Sequence, residues 1–374
     1  MRHLFRIGFL GVWAALLAGT STVWAQPAVA PAPPRFAEVV DSARALVRHD
    51  LVEKNHPGLA IAVSVAGQTV WSEGFGYADL EHRVPIWPTT KFRIGSISKP
   101  LTAAAVAQLY EQGRLDLDAP VQQYVPSFPE KRWPLTTRQL GGHLGGVRHY
   151  RGVEFLSSTP YETVENSLTI FAGDTLLHEP ETRYAYSSYG WNLISAVVEG
   201  ASGRAFLDYM REEVFEPLGM HHTVADHPDS LIYQRVRFYV RGNNDALLNA
   251  PFVDNSYKWA GGGFLSTPED LLRFANAHLT GDFLSDEALA MLFTPQRTRD
   301  GEDTGYGFGW RSRTGDDGRR YISHGGGSVG GTSLLIMQPD TRVVVAGTIN
   351  LSQADLSIVT RVLDLFVEAA SGGS

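Results

Sequence analysis

The sequence predicts an α/β protein of the α+β type. One antiparallel sheet is assembled from both chain ends and flanked by N- and C-terminal helices, with a mostly helical lobe inserted between its halves. Three observations carry this. Strand-like runs cluster near both ends of the 374-residue chain, runs with helical apolar spacing lie outside them, and the middle, from about Leu101 to Thr298, reads as helix and loop. A cleft where the two lobes meet is the natural ligand site.

Residues 1–25 begin with Arg2 and Arg6, continue through the apolar segment Ile7 to Ala18, and end on Val23-Trp24-Ala25, a small-x-small cleavage pattern. This is the pattern of a secretory signal peptide, and its apolar segment is too short to span a bilayer comfortably. A soluble product without a membrane anchor, in the periplasm or outside the cell, is the expectation. Gln26 to Arg35, rich in proline and alanine, reads as an extended tether. Residues 36–374 then form the main domain, its sheet lobe drawn from 36–100 and 299–374 and its helical lobe from 101–298.

Within that domain, Phe36, Val39, Val40, Ala43, Leu46, Val47 and Leu51 have helical spacing, and Pro57-Gly58 stops the helix. Leu59–Val65 and Thr69–Tyr77 read as a hairpin around Ala66-Gly67-Gln68. Thr267-Pro268-Glu269-Asp270 is a helix start: a capping hydroxyl, proline at the first position and early acids. Gly307–Arg313, Arg320–Ser323, Thr332–Met337 and Arg342–Ile349 read as strands, and Leu356–Ala369 as the closing helix.

The most informative segment is Ser96-Ile97-Ser98-Lys99, followed by the Ala/Leu-rich run Pro100 to Tyr110. Ser96 and Lys99 lie one turn apart at a helix start, so both side chains reach one point. There the helix N-terminus offers unpaired N–H groups and partial positive charge, which favour an oxyanion and help keep Lys99 neutral enough to accept a proton. This is the chemistry of acyl transfer through a serine.

Two further segments join it. Tyr184-Ala185-Tyr186-Ser187-Ser188-Tyr189-Gly190 precedes a helical run, and a tyrosine in a capped loop projects into a cleft. Desolvation alone raises a phenol's pKa and a neighbouring cation lowers it, so beside Lys99 the Tyr186 phenol is a candidate base for Ser96, with the choice between Lys99 and Tyr186 left open. His324-Gly325-Gly326-Gly327-Ser328 lies between strand-like runs. Its glycines admit a substrate backbone, the N–H of Gly327 is the best-placed oxyanion donor beside that of Ser96, and His324 at the same edge hydrogen-bonds substrate or tunes Tyr186.

Other chemistries fall away. Gly325, Gly327 and Gly330 spell a dinucleotide fingerprint, but a strand follows where a helix is required. Gly326-Gly327-Ser328-Val329-Gly330 spells a nucleophile elbow, yet no histidine follows it. His221-His222 with Asp226 and His227 has none of the helical zinc spacings, so no metal and no cofactor are expected. His143 is either part of a cleft-lining loop or a helix-end residue that satisfies buried backbone. The chain has no cysteine, which excludes disulfides and thiol catalysis. Removing the two arginines of the signal takes the formal charge from −8 to about −10, a poor surface for nucleic acid. The expected partner is a small-molecule or peptide acyl substrate.

With Ser96/Lys99, Tyr186 and His324 in that order, the chain resembles the serine β-lactamase-related family, which includes class C β-lactamases, penicillin-binding proteins, D-aminopeptidases and esterases. Phe92-Arg93-Ile94-Gly95-Ser96, Pro217-Leu218-Gly219-Met220 and Gly261-Gly262-Gly263-Phe264-Leu265-Ser266-Thr267 extend the similarity. Arg138-Gln139-Leu140 and Gly146-Val147-Arg148-His149-Tyr150 carry it toward the branch of mitochondrial serine β-lactamase-like proteins. The resemblance implies a β-lactamase/transpeptidase-like fold, Ser96 as the acylated nucleophile, Lys99 and Tyr186 as its proton-handling partners, and a substrate-binding third motif at His324, Gly325 and Gly326. Ser188 stands where β-lactamases commonly have a substrate-binding asparagine, and His324 where they have lysine. These departures favour esterase or peptidase activity over β-lactamase or D,D-peptidase activity; a non-catalytic cell-wall binding protein is the alternative of another class.

Overall fold

The computed structural model describes residues 32–372 of the chain; the export signal expected at 1–25 and most of the tether lie outside them. In chain order, α1 (Ala37–Glu53) leads into β1 (Gly58–Val65), β2 (Gln68–Asp79), β3 (Val84–Pro85) and β4 (Phe92–Arg93). Then come α2 (Ser98–Glu111), α3 (Thr137–Gly141), α4 (Val164–Leu168), α5 (Ser188–Ser202), α6 (Phe206–Tyr209), β5 (Val224–Ala225), β6 (Tyr239–Arg241) and β7 (Leu247–Asn249). The chain continues through α7 (Trp259–Gly262), β8 (Phe264–Ser266), α8 (Pro268–Thr280), α9 (Asp286–Phe293), β9 (Arg311–Thr314), β10 (Arg320–Ser328), β11 (Gly331–Gln338), β12 (Val343–Ile349) and α10 (Ser357–Ser371).

Seven strands form one antiparallel sheet in the order β3-β2-β1-β12-β11-β10-β9, so the first and last strands of the domain meet at its centre. β1 and β12 are buried along their whole length because both faces of the sheet are covered. Leu59, Ile61, Val63, Val343, Val345 and Ile349 pack under α1 and α10, while Ala62, Val344 and Ala346 face the core of the helical lobe. Strict alternation puts successive residues on opposite faces, and each buried aliphatic side chain contributes about 1.5–3 kcal/mol. Thr267 caps α8 by accepting from the Asp270 N–H (3.2 Å), with Pro268 at the first helical position.

Three expectations change. The glycine run belongs to β10 itself, paired with β11 from Ile322↔Met337 to Ser328↔Gly331, and the turn comes only at Val329-Gly330. Gly307–Trp310 is no strand: the Gly307 N–H bonds the Trp310 carbonyl and the Phe308 N–H bonds Leu292, which ties this segment across α9. The middle of the chain also holds short strands, with β4, β8 and β5 forming a three-stranded sheet and β6 and β7 a hairpin.

Candidate active site

Gly95 and Ser96 occupy a 3₁₀ turn (Gly95–Ile97) that runs directly into α2. Gly95 has φ 49°, and a Cβ there would lie 2.5 Å from the Gly327 carbonyl, so the turn lies against the backbone of β10. β9 pairs with β10 only from Arg320 to Ser323, which leaves the edge of β10 beyond His324 without a strand neighbour on that side. The Ser333 hydroxyl donates to the Ile94 carbonyl (2.7 Å) and ties the turn to β11.

Lys99, the second residue of α2, is completely buried. Its Nζ lies 3.0 Å from Ser96 Oγ, 3.0 Å from Ser188 Oγ and 2.7 Å from the Gly261 carbonyl, and 4.9 Å from the centre of the Tyr186 ring. Burial, reinforced by the like charge of Lys258, pushes its pKa well below that of a free lysine. An amine held neutral beside a serine hydroxyl is a proton acceptor.

Ser187 caps α5 by accepting from the Gly190 N–H (2.9 Å), which aims the preceding Tyr186 at the nucleophile and turns Ser188 toward Lys99. Burial raises the Tyr186 pKa, and the nearby Ser96 and Ser188 hydroxyls only partly offset it. Burial thus opposes the lowering expected from Lys99, and in the low-dielectric site the phenol keeps its proton.

Ser96, Tyr186, Ser188, Gly261, Gly262 and Gly327 line a cavity of about 600 Å³, together with His149, Tyr150, Phe155, Leu156, Val240 and Lys258. A groove of about 730 Å³ beside α10 is lined by arginines and acids such as Arg313, Asp317 and Asp364, and contains no serine–lysine pair.

Gly325 is exposed on the edge of β10, His324 and Gly326 are buried, and none of the three lines the cavity, which corrects the substrate contact expected of His324 and Gly326. His324 is buried behind it, donating from Nδ1 to the Gly325 carbonyl (2.7 Å) and accepting at Nε2 from the Tyr306 hydroxyl (2.9 Å). Burial lowers its pKa to about 3, so it carries no charge near neutrality. Gly326 is close to the chain's own backbone: a Cβ would lie 1.9 Å from the Ile94 carbonyl. Gly327, by contrast, has open space where a Cβ would project. His143, at φ 61°, is the helix-end residue of the two alternatives, its Nδ1 accepting from the Ser187 N–H (3.1 Å).

Two lining residues escaped sequence reasoning. Lys258 is 2% exposed, and its Nζ has no hydrogen-bond or ion-pair partner among the described residues and sits over the rings of Phe155 (4.4 Å) and Tyr257 (5.3 Å). Burial and the charge of Arg93 lower its pKa to about 7. A lone lysine in the run Tyr257-Lys258-Trp259-Ala260 was the available signal. His149 follows Arg148, whose buried guanidinium binds Glu154 (2.7 and 3.0 Å), Asp174 and the Ile170 carbonyl (3.0 Å) and clamps this loop to the segment that follows α4.

The chain is similar to several known proteins. The Beta-lactamase family model matches residues 43–366. The mitochondrial serine beta-lactamase-like protein LACTB of Homo sapiens is 37% identical over 407 aligned residues, covering 83% of this chain and 74% of that protein. Penicillin-binding protein 4* of Bacillus subtilis is 28% identical, covering 78% and 68%. Among solved structures, the octameric penicillin-binding protein homologue from Pyrococcus abyssi superposes with a TM-score of 0.77 at 27% identity, covering 88% of this chain and 77% of that one. The D-amino acid amidase from Ochrobactrum anthropi shares the fold, with a TM-score of 0.76 at 22% identity over 89% and 99% of the two chains. With its β-lactamase/transpeptidase-like fold and Ser96, backed by the buried Lys99, lining a cavity, the chain belongs to the Beta-lactamase family of serine hydrolases.

Proposed function

We propose that this protein is an exported hydrolase that cleaves an ester or amide bond through an acyl-enzyme on Ser96. The observation that carries the reading is the 3.0 Å contact between Ser96 Oγ and the buried, proton-poor Lys99. Ser96 attacks the substrate carbonyl as its hydroxyl proton passes to Lys99 Nζ, and the oxyanion forms against the N–H groups of Ser96 and Gly327. Tyr186 donates its proton to the leaving group as the scissile bond breaks and is refilled by the proton held on Lys99, which becomes neutral again. Water then attacks the ester, Lys99 takes its proton and returns it to Ser96 Oγ as the acyl–oxygen bond breaks, and the acid product leaves.

Esterase or peptidase activity is favoured over β-lactamase activity, because His324 is neutral and enclosed and offers no cation at the β10 edge. The names of the relatives keep a second reading in play, penicillin-type D,D-peptidase or β-lactamase chemistry, for which nitrocefin hydrolysis is the discriminating assay. A pure cell-wall binder has no need of an activated serine.

The test is intact-mass spectrometry after treatment with a fluorophosphonate. A single adduct is expected on the wild type and none on Ser96→Ala; equal labelling of the mutant would remove Ser96 as nucleophile. Export is tested separately by N-terminal sequencing of the secreted protein, with a start at Gln26 expected.

A further inference from the structure

We propose that His149 is the specificity-determining donor of this cavity: its Nε2–H hydrogen-bonds a carbonyl oxygen that the substrate carries outside the scissile group, so acylamino and peptidyl groups are preferred over plain alkyl acyl groups. This rests on the acyl-enzyme reading above and deepens it.

The tautomer follows from one contact. The Ser188 backbone N–H points at His149 Nδ1 at 3.1 Å, and an N–H only donates, so Nδ1 accepts and the ring proton sits on Nε2. The ring is uncharged at neutral pH, because burial and the nearby Lys99 and Lys258 lower its pKa to about 4. Its orientation is held by Tyr150, 4.4 Å away and tilted 33°, and by the edge-on ring of Tyr186 at 5.6 Å. Nε2 has no hydrogen-bond partner among the described residues, and His149 lines the cavity with Ser96 and Tyr186.

The side chain that the sequence motif itself supplies is otherwise occupied. Ser188 Oγ is 3.0 Å from Lys99 Nζ and helps hold the base. A neutral imidazole N–H, pre-oriented by the first backbone N–H of α5, is thus a directional donor beside the nucleophile. Such a donor, exposed in the free protein, discriminates once the bound substrate covers it, because a substrate lacking the matching acceptor then leaves it desolvated and unpaired.

The experiment compares two p-nitrophenyl esters of nearly equal length, those of N-acetylglycine and pentanoic acid, on the full chain. The wild type is expected to favour the acetylglycyl ester in kcat/KM. His149→Phe should lower that preference about tenfold, and His149→Gln, which keeps an N–H at similar reach, should recover part of it. Thermal unfolding of each variant near the wild-type temperature shows that the comparison is between folded proteins. A preference unchanged in His149→Phe, or both esters slowed equally, overturns the assignment to His149 while Ser96 acylation persists. Failure of either ester to acylate wild-type Ser96 overturns the acyl-enzyme reading and the assignment with it.

Discussion

At the scale of single residues, the site is governed by what burial does to charge. Removing an ammonium from water costs several kcal/mol, and Lys99 avoids that cost by giving up its proton; the nearby Lys258 adds to the pressure. The sign of the pH dependence follows. A lysine with a depressed pKa is neutral above that pKa and loses its function as pH falls through it, so activity should show an acidic limb. Lys258→Met removes the like charge, raises the Lys99 pKa and moves the limb toward higher pH. Profiles of kcat/KM from pH 5 to 9 check this, and a limb that stays in place or moves toward acid would show that Lys258 exerts no field on Lys99. Tyr186 behaves in the opposite sense, since burial keeps its proton on. Tyr186→Phe should slow turnover of poor leaving groups by about 10²-fold, while esters with good leaving groups still acylate Ser96, a difference that burst kinetics reads directly.

At the scale of elements, the nucleophile is placed by the contact between a turn and a strand. Gly326 faces the Ile94 carbonyl with no room for a methyl group, whereas Gly327, one residue on, faces open cavity. Gly326→Ala should therefore push the Ser96 turn away from β10, lowering stability by about 1–3 kcal/mol in urea unfolding and abolishing fluorophosphonate labelling. Gly327→Ala should leave the unfolding midpoint close to wild type. Equal effects of the two changes would contradict this packing. The glycine strand was hidden from sequence reasoning because glycine has poor β-propensity; β10 forms because β11 pairs with it along its length. The hairpin β1–β2 and helices α1 and α10 were legible because alternating and helical apolar patterns are local signals.

At the scale of the whole molecule, several imidazoles are locked away neutral. Burial lowers His278 to about 4 and His324 to about 3. Below pH 6.5 the unfolded chain takes up protons that these folded-state sites refuse until the pH nears their lowered pKa values. Stability is therefore complete above 6.5 and falls as the pH drops, by about 1–2 kcal/mol for each imidazole at pH 5. His278→Phe should shrink the difference in unfolding free energy between pH 7.5 and pH 5 by that amount; an undiminished difference would mean that His278 does not contribute. The same enclosure explains the main correction at the site. The sequence places His324 in a motif, but only the fold brings Tyr306 onto its Nε2 and closes it off from the cavity.

The sequence by itself determined the spacing of Ser96 and Lys99, the capped start of α5 after Tyr186, and the strands and helices that bring the two ends of the chain together, because each is written in a few neighbouring side chains. Which of these groups carry protons, that Lys258 and His149 share the cavity, and that Gly326 yields to Ile94 rather than to substrate were decided by the tertiary structure. Desolvation, hydrogen-bond partnership and steric contact depend on residues tens to hundreds of positions away, and no local pattern encodes them.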